Sequence, residues 1–265
     1  MPLSLLLPCG YFVAFAIAAA TMRATRPGWF RTFSFGVAGA GLAGAGLLLP
    51  DVPAAGSTLR EWWPLLLVPF AYWAPAGLTG APHVTFERWL QHTDERFDAL
   101  TRARDTARVP VLDELLEVAY LLVYPTVPAG FLAFSWSDGS GAGFWPPFWA
   151  AVLPCYALLP LLPTRTPRER RALTRSDSVD TRSRLRRVNE EVLRTFSNRW
   201  NTFPSGHASA AAAVAALLWR VESPRTPAFV LLAAGIALGA VRGRYHYLAD
   251  SVAGAALGLA AGLLL

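Results

Sequence analysis

Hydrophobic positions along this chain fall into long blocks rather than the two-residue alternation of half-buried strands. Eight blocks approach the roughly 20 apolar residues that a helix needs to cross a bilayer at about 1.5 Å per residue. They are 3–20, 33–50, 62–78, 114–134, 144–163, 206–221, 227–241 and 247–265. Several are short or hold proline, as the third does at Pro64, Pro69 and Pro75, so two of them are candidates for re-entrant or interfacial segments. The expected fold is all-α, a polytopic membrane helical bundle with six to eight transmembrane helices. Between the third and fourth blocks, Phe86, Trp89, Leu90, Phe97 and Leu100 recur near helical spacing among mixed charges. This predicts an amphipathic helix lying on the membrane surface within 83–108. The first block has neither a basic leader nor a small-residue cleavage site and is expected to be retained as a helix.

Composition and charge sharpen this picture. Of 265 residues, 54% are hydrophobic and 16% charged, which excludes a disordered, collagen-like or disulfide-stapled chain. Cys9 and Cys155 both sit inside apolar blocks, where a thiol acts as a small hydrophobe. All 24 basic residues are arginine, so no mechanism can call on a lysine ammonium. If the eight blocks are spans, 21 arginines fall in alternate loops and 3, Arg60, Arg220 and Arg225, in the others. That asymmetry predicts both chain ends outside and the arginine-rich loops at the cytoplasmic face. Arginine without lysine, with abundant alanine and glycine, suggests a high-GC bacterial genome, hence a multi-pass protein of the bacterial plasma membrane.

Some apparent signals have plainer readings. Gly39-Ala40-Gly41-Leu42-Ala43-Gly44 fits G-x-G-x-x-G, but it lies within an apolar block with no strand before it, so tight helix packing is expected instead. Gly254, Gly258 and Gly262, four residues apart, read as one helix contact face. His83 and His92 lie nine apart, a poor ligand-pair spacing on a helix, and read as interfacial histidines. The basic stretch 165–199 is interrupted by Glu169, Asp177, Asp180, Glu190 and Glu191. It reads as a solvated loop near anionic lipid, with no nucleic acid as partner.

Two motifs carry chemistry, and the loop assignment puts both on one face. In Pro204-Ser205-Gly206-His207, Ser205 is a natural N-cap, and the free backbone N–H groups of Gly206 and His207 make an anion site at the helix start. In Arg242-Gly243-Arg244-Tyr245-His246-Tyr247-Leu248-Ala249-Asp250, His246 and Asp250 stand four apart on one helical face. A carboxylate there can accept the ring's N–H and leave the other nitrogen as nucleophile or base. With nearby arginines, the set describes a phosphate site, and phosphoryl transfer through a phosphohistidine follows as the sharpest reading. Two others remain open at this level: histidines that merely anchor helix ends at the membrane surface, and a zinc site of His207, His246 and Asp250. The arginines would repel a cation, which ranks zinc below phosphate.

Pro204-Ser205-Gly206-His207 followed by His246-x-x-x-Asp250 resembles the second and third signature motifs of the type 2 phosphatidic acid phosphatase superfamily, over about the last 105 residues. The resemblance implies a helical lipid phosphatase or phosphotransferase with no metal and no cofactor. By it, His246 attacks phosphorus, Asp250 orients His246, and His207 protonates the leaving alkoxide and later activates water. Ser205 and the Gly206 N–H hold phosphate oxygens. The family's first motif begins with lysine, which this chain lacks. Pro163-Thr164-Arg165-Thr166-Pro167-Arg168 is the candidate equivalent, with Arg165 and Arg168 as phosphate ligands, and Arg187 with Arg194 is its rival. The third-motif arginine six residues before the histidine is replaced by Ala240, leaving Arg242 and Arg244 as candidates. Arg244-Tyr245-His246-Tyr247 with Asp250 is similar to the inositol phosphorylceramide synthase branch.

The expected organisation is therefore N-terminal transmembrane helices with an interfacial helix over 1–113, and a phosphatase-like catalytic helical core over 114–265. The expected activity is hydrolysis of a lipid phosphomonoester or pyrophosphate, with the bilayer and a lipid phosphate as partners. Trp200, Tyr245 and Tyr247 are expected at headgroup level. The alternatives are transfer of a phosphoryl-bearing head group to an alcohol such as inositol, and a non-catalytic binder of anionic head groups. The sequence carries no signal of oligomeric state.

Overall fold

The computed structural model describes residues 3–49, 56–101, 110–174, 184–198, 200–201 and 203–265, and among them every regular element is helical. The elements are α1 (Leu3–Thr21), α2 (Trp29–Leu47), α3 (Gly56–Trp73), a 3₁₀ turn (Ala74–Leu78), α4 (Val84–Thr101), α5 (Pro110–Leu121) and α6 (Val123–Asp138). They continue with α7 (Trp145–Ala157), α8 (Pro167–Thr174), α9 (Arg184–Phe196), α10 (Gly206–Arg220), α11 (Thr226–Arg242) and α12 (Leu248–Leu264).

A helix that is apolar all round belongs in the middle of a bundle, and α10 occupies that place. Its residues from Ala208 to Leu218 are buried, and its run of alanines lets neighbours approach closely. The nearest is α12, whose glycines lie directly on α10. A Cβ at Gly254 would stand 2.3 Å from the Ser205 carbonyl oxygen, and one at Gly258 would stand 2.2 Å from that of Ser209. Gly262 meets Ala216 in the same way. The glycine face expected from the four-residue spacing is thus a helix contact. The α2 glycines are split. Gly36 and Gly39 take the backbone and ring of α1 at close range, and Gly46 takes Trp63, whereas Gly41 and Gly44 face open space. An aromatic cluster of Phe131, Phe144, Trp145, Phe148 and Trp149 joins α6 to α7, and the Trp149 indole donates to the Ser4 carbonyl of α1.

Three sequence expectations are revised. The block 114–134 is two helices, bent by 60° between Leu121 and Val123. Pro125 explains the break: it has no N–H for the Leu121 carbonyl, and its ring crowds that carbonyl. The block 62–78 ends its α-helix at Trp73, and Pro75 continues it as a 3₁₀ turn. The basic stretch 165–199, read as a solvated loop, carries α8 and α9, and α9 buries Asn189 completely. The amphipathic helix is present as α4, with Leu90 buried and Trp89 and Phe97 exposed. Among the described residues, α1 is long and apolar enough to cross a membrane, and the bent pair α5–α6 is a second case if it counts as one span. Helices α11 and α12 are apolar but shorter.

Contacts between loops sort into two ends. At one end Gly28 abuts Gly77, Arg26 abuts Gly80, the His83 N–H donates to the Pro163 carbonyl, and the Ser205 N–H donates to the Asp250 carbonyl. At the other, Ser140 donates to Glu61, Trp145 to the Glu61 carbonyl, and Ser137 to Ser223. The segments at the first end belong to the loops that the arginine count grouped together.

Candidate active site

The site forms where α10 and α12 begin. Ser205 caps α10, its Oγ accepting from the Ala208 N–H at 3.4 Å. Its own N–H is given to the Asp250 carbonyl at 2.9 Å, so the two motifs are bound to each other through the backbone. Between α11 and α12 the chain reverses at Arg244, whose φ of 60° is the left-handed conformation that glycine usually supplies at a helix C-terminus. There the Ala240 carbonyl accepts from both the Tyr245 and His246 N–H groups. Holding a non-glycine residue there costs about 1–2 kcal/mol, and the turn it makes directs His246 inward. His246 is 5% exposed.

Asp250 is fully buried behind it, with Oδ2 accepting from the Asn201 amide at 2.7 Å and the Tyr247 N–H at 3.1 Å. The His246 Nδ1 lies 3.4 Å from the same oxygen. An Nδ1–H given to this carboxylate leaves Nε2 with its lone pair free for chemistry. The His207 ring, at the start of α10, stands 6.1 Å from the His246 ring, centroid to centroid, at 71°. Both rings face one cavity of about 430 Å³, walled also by Gly206, Arg168, Arg194, Tyr245 and Asn201.

The structure thus gathers His246, His207, Gly206 and Arg168 at one cavity, with Asp250 supporting His246 from behind. The other expected ligands lie outside that wall. The Ser205 Oγ accepts from the Ala208 N–H at the helix cap. Arg165 faces Glu87, which also accepts the Arg165 N–H at 2.9 Å. Arg242 donates to Asp113 at 2.7 Å, on the α5 side, and Arg244 contributes the turn. Of the rival arginine pair, Arg194 lines the cavity and is paired with Glu191. Arg168 is ion-paired with Glu190, and burial lowers its pKa from the ordinary arginine value. No three His, Cys, Asp or Glu side chains among the described residues are placed to hold one metal ion.

Sequence reasoning missed the polar partners. Asn201 joins two segments of the site: its amide holds Asp250, and its N–H donates to the Thr164 carbonyl at 2.7 Å, tying the 163–168 segment to the histidine motifs. Glu117 of α5 is buried and accepts from the Tyr245 hydroxyl and the Asn189 amide, both at 2.6 Å, with Arg186 at 3.7 Å. Burial first, and then the bond to Glu117, raise the Tyr245 pKa, so the phenol stays protonated. Its ring stacks on Tyr120 at 4.4 Å, and Tyr120 lies 5.4 Å from His207.

Residues 84–264, more than half of the chain, match the PAP2 superfamily. The chain belongs to the PAP2 superfamily. The match begins at α4 and runs through both histidine motifs. PAP2 members are generally phosphatases or phosphotransferases acting on phosphate-bearing substrates, often lipids, and membership supports an activity of that general type for this chain. No curated protein and no solved structure matches it.

Proposed function

We propose that this PAP2 protein is an integral-membrane lipid phosphatase that releases phosphate from a lipid phosphomonoester or pyrophosphate through a phosphohistidine. The observation that carries the reading is the pair of histidine rings 6.1 Å apart on one cavity, one of them backed by a buried aspartate. His246 Nε2 attacks phosphorus while the bond to the leaving oxygen breaks, and His207 gives that oxygen a proton. His207 then takes a proton from water as the water attacks the phosphohistidine, which returns His246 free and releases inorganic phosphate. The Gly206 N–H at the α10 start and the Arg168 guanidinium hold the phosphate oxygens as charge moves onto them. Leaving Glu190 for the phosphate costs Arg168 one carboxylate and gains it another anion. No metal or cofactor enters the scheme.

The membrane setting is part of the proposal. The helices α1, α2, α3, α5–α6, α7, α10, α11 and α12 are assigned as spans, with α4, α8 and α9 at the cytoplasmic face of a bacterial plasma membrane. Support comes from large apolar side chains left exposed on outer helices, such as Ile17, Leu231, Leu238 and Leu264. Such side chains are at home against lipid.

Phosphate release by detergent-purified protein in excess EDTA, over a panel of lipid phosphates and pyrophosphates, tests the reading. His246→Ala is expected to abolish both release and acid-labile phosphoenzyme, and Asp250→Asn to slow turnover by roughly 10²–10⁴. Full activity in His246→Ala would sink the mechanism. Turnover that appears only on adding an acceptor alcohol would make the enzyme a transferase, as the likeness of Arg244-Tyr245-His246-Tyr247 to the inositol phosphotransferase branch suggests. Head-group binding without turnover would make the chain a silent binder.

A further inference from the structure

A second cavity, of about 550 Å³, adjoins the first and shares Tyr72, Tyr156, Ser197, Gly206 and His207 with it. The rest of its wall is of opposite character. Leu65 and Val68 of α3, Val123 and Val127 of α6, Phe148 of α7 and Ala210 of α10 make it almost wholly apolar. Its volume is that of a pocket for one small ligand, about 300–1,000 Å³. Tyr124 and Phe196 line it while remaining 46% and 54% exposed, so the chamber opens between α6 and α9.

His207 stands on the partition between the two cavities, while His246 and Arg168 line the polar one and not the chamber. The proposed reaction, on which this inference rests, places the leaving oxygen at His207 and the phosphate between the histidines and Arg168. Past His207 the apolar chamber offers whatever the leaving oxygen is attached to a continuous apolar path. We propose that the chamber is the leaving-group site, that it admits one hydrocarbon chain, and that the substrate is accordingly the phosphate or pyrophosphate of a single-chain alcohol rather than of a two-chain glycerolipid. Val127 and Leu65 set the length of chain that fits. By microscopic reversibility an acceptor alcohol enters where the leaving alcohol departs, so a polar acceptor such as a sugar has no complementary surface there.

Two measurements test this on the full-length detergent-solubilised protein. The first is photo-crosslinking with a single-chain alkyl phosphate carrying a diazirine at its chain end. Adducts are expected on peptides of α3 and α6, and labelling confined to α11 and α12, which do not line the chamber, would overturn the proposal. The second is kcat/KM over single-chain alkyl phosphates of increasing length. It is expected to rise by up to about fourfold per buried methylene and then to level off once the chamber is full. In Val127→Trp and Leu65→Trp the ratio of kcat/KM for a long over a short chain should fall at least tenfold, while Leu231→Trp on the exposed face of α11 leaves the ratio as it is. An unchanged ratio in both chamber variants, or a two-chain phosphatidic acid turned over as well as a single-chain phosphate, would overturn the chamber's role. Wild-type protein that hydrolyses no phosphate ester would defeat the phosphatase reading itself, and the crosslinking pattern would still decide the chamber.

Discussion

Asn201, which motif reading passes over, bonds directly to the aspartate behind His246. Asp250 Oδ2 serves His246, Tyr247 and Asn201 together, and the Asn201 amide is the shortest of the three at 2.7 Å. A hydrogen bond to a charged group contributes about 1.5–3 kcal/mol, so Asn201→Leu should lower kcat by roughly tenfold to a hundredfold. KM should change little, because the residue acts on His246 through Asp250. Asn201→Asp should be worse, since it sets a second carboxylate against the first in a buried place. Steady-state kinetics of both variants separates this positioning role from substrate binding, which would move KM. The reason sequence missed Asn201 is that its value lies in a partner 49 residues away. His207, His246 and Asp250 were legible because each motif sets its own local geometry, the cap in one case and the i,i+4 pair in the other. The arginines were half legible: sequence gives their charge but not the carboxylate each one meets, and Arg165 and Arg242 are taken by Glu87 and Asp113.

At the scale of elements, the geometry of the candidate site depends on how closely α12 lies on α10, because Ser205 and His207 ride on one and Asp250 on the other. That closeness is set by glycine. A side chain at Gly258 would stand 2.2 Å from the Ser209 carbonyl oxygen, a backbone atom that cannot rotate away. Overpacking of this kind costs about 1–3 kcal/mol or more. Gly258→Leu should therefore lower the melting temperature in detergent by several degrees, at roughly 2–4 °C per kcal/mol, and cut activity as the motifs move apart. Gly41→Leu is the control: its Cβ meets nothing within 4 Å, and melting should stay within about a degree. A shared loss in both variants would mean that general membrane insertion, not this contact, was measured. The four-residue glycine spacing made the α12 face readable in advance. The same reasoning over-read α2, where only some of the glycines touch a neighbour. Helices α8 and α9 were hidden because their sequence is polar and basic, and α9 docks through a buried polar cluster around Glu117 together with Leu193 against Tyr120 and Tyr245.

At the scale of the whole molecule, two independent observations agree on a polarity. One is the division of arginines, 21 in one set of alternate loops and 3 in the other. The second is the contact pattern, in which the described members of the first set meet at the end that holds the histidine motifs and those of the second meet at the opposite end, around Glu61, Ser140 and Ser223. Nothing in the charge count requires the second fact, since loops of equal charge could have lain at either end of a soluble bundle. The proposed membrane setting places a bilayer between the two ends, with the arginine-bearing loops on its cytoplasmic side. The prediction concerns single cysteines in a background with Cys9 and Cys155 replaced by alanine. Thr25→Cys, in the exposed turn after α1, should react with a membrane-impermeant maleimide only in inside-out vesicles, and Asp138→Cys, exposed at the end of α6, only in right-side-out ones. Reaction of both in the same vesicle orientation would break the topology. It would also overturn the cytoplasmic placement proposed for the histidine site, while leaving the chemistry proposed at His246 untouched.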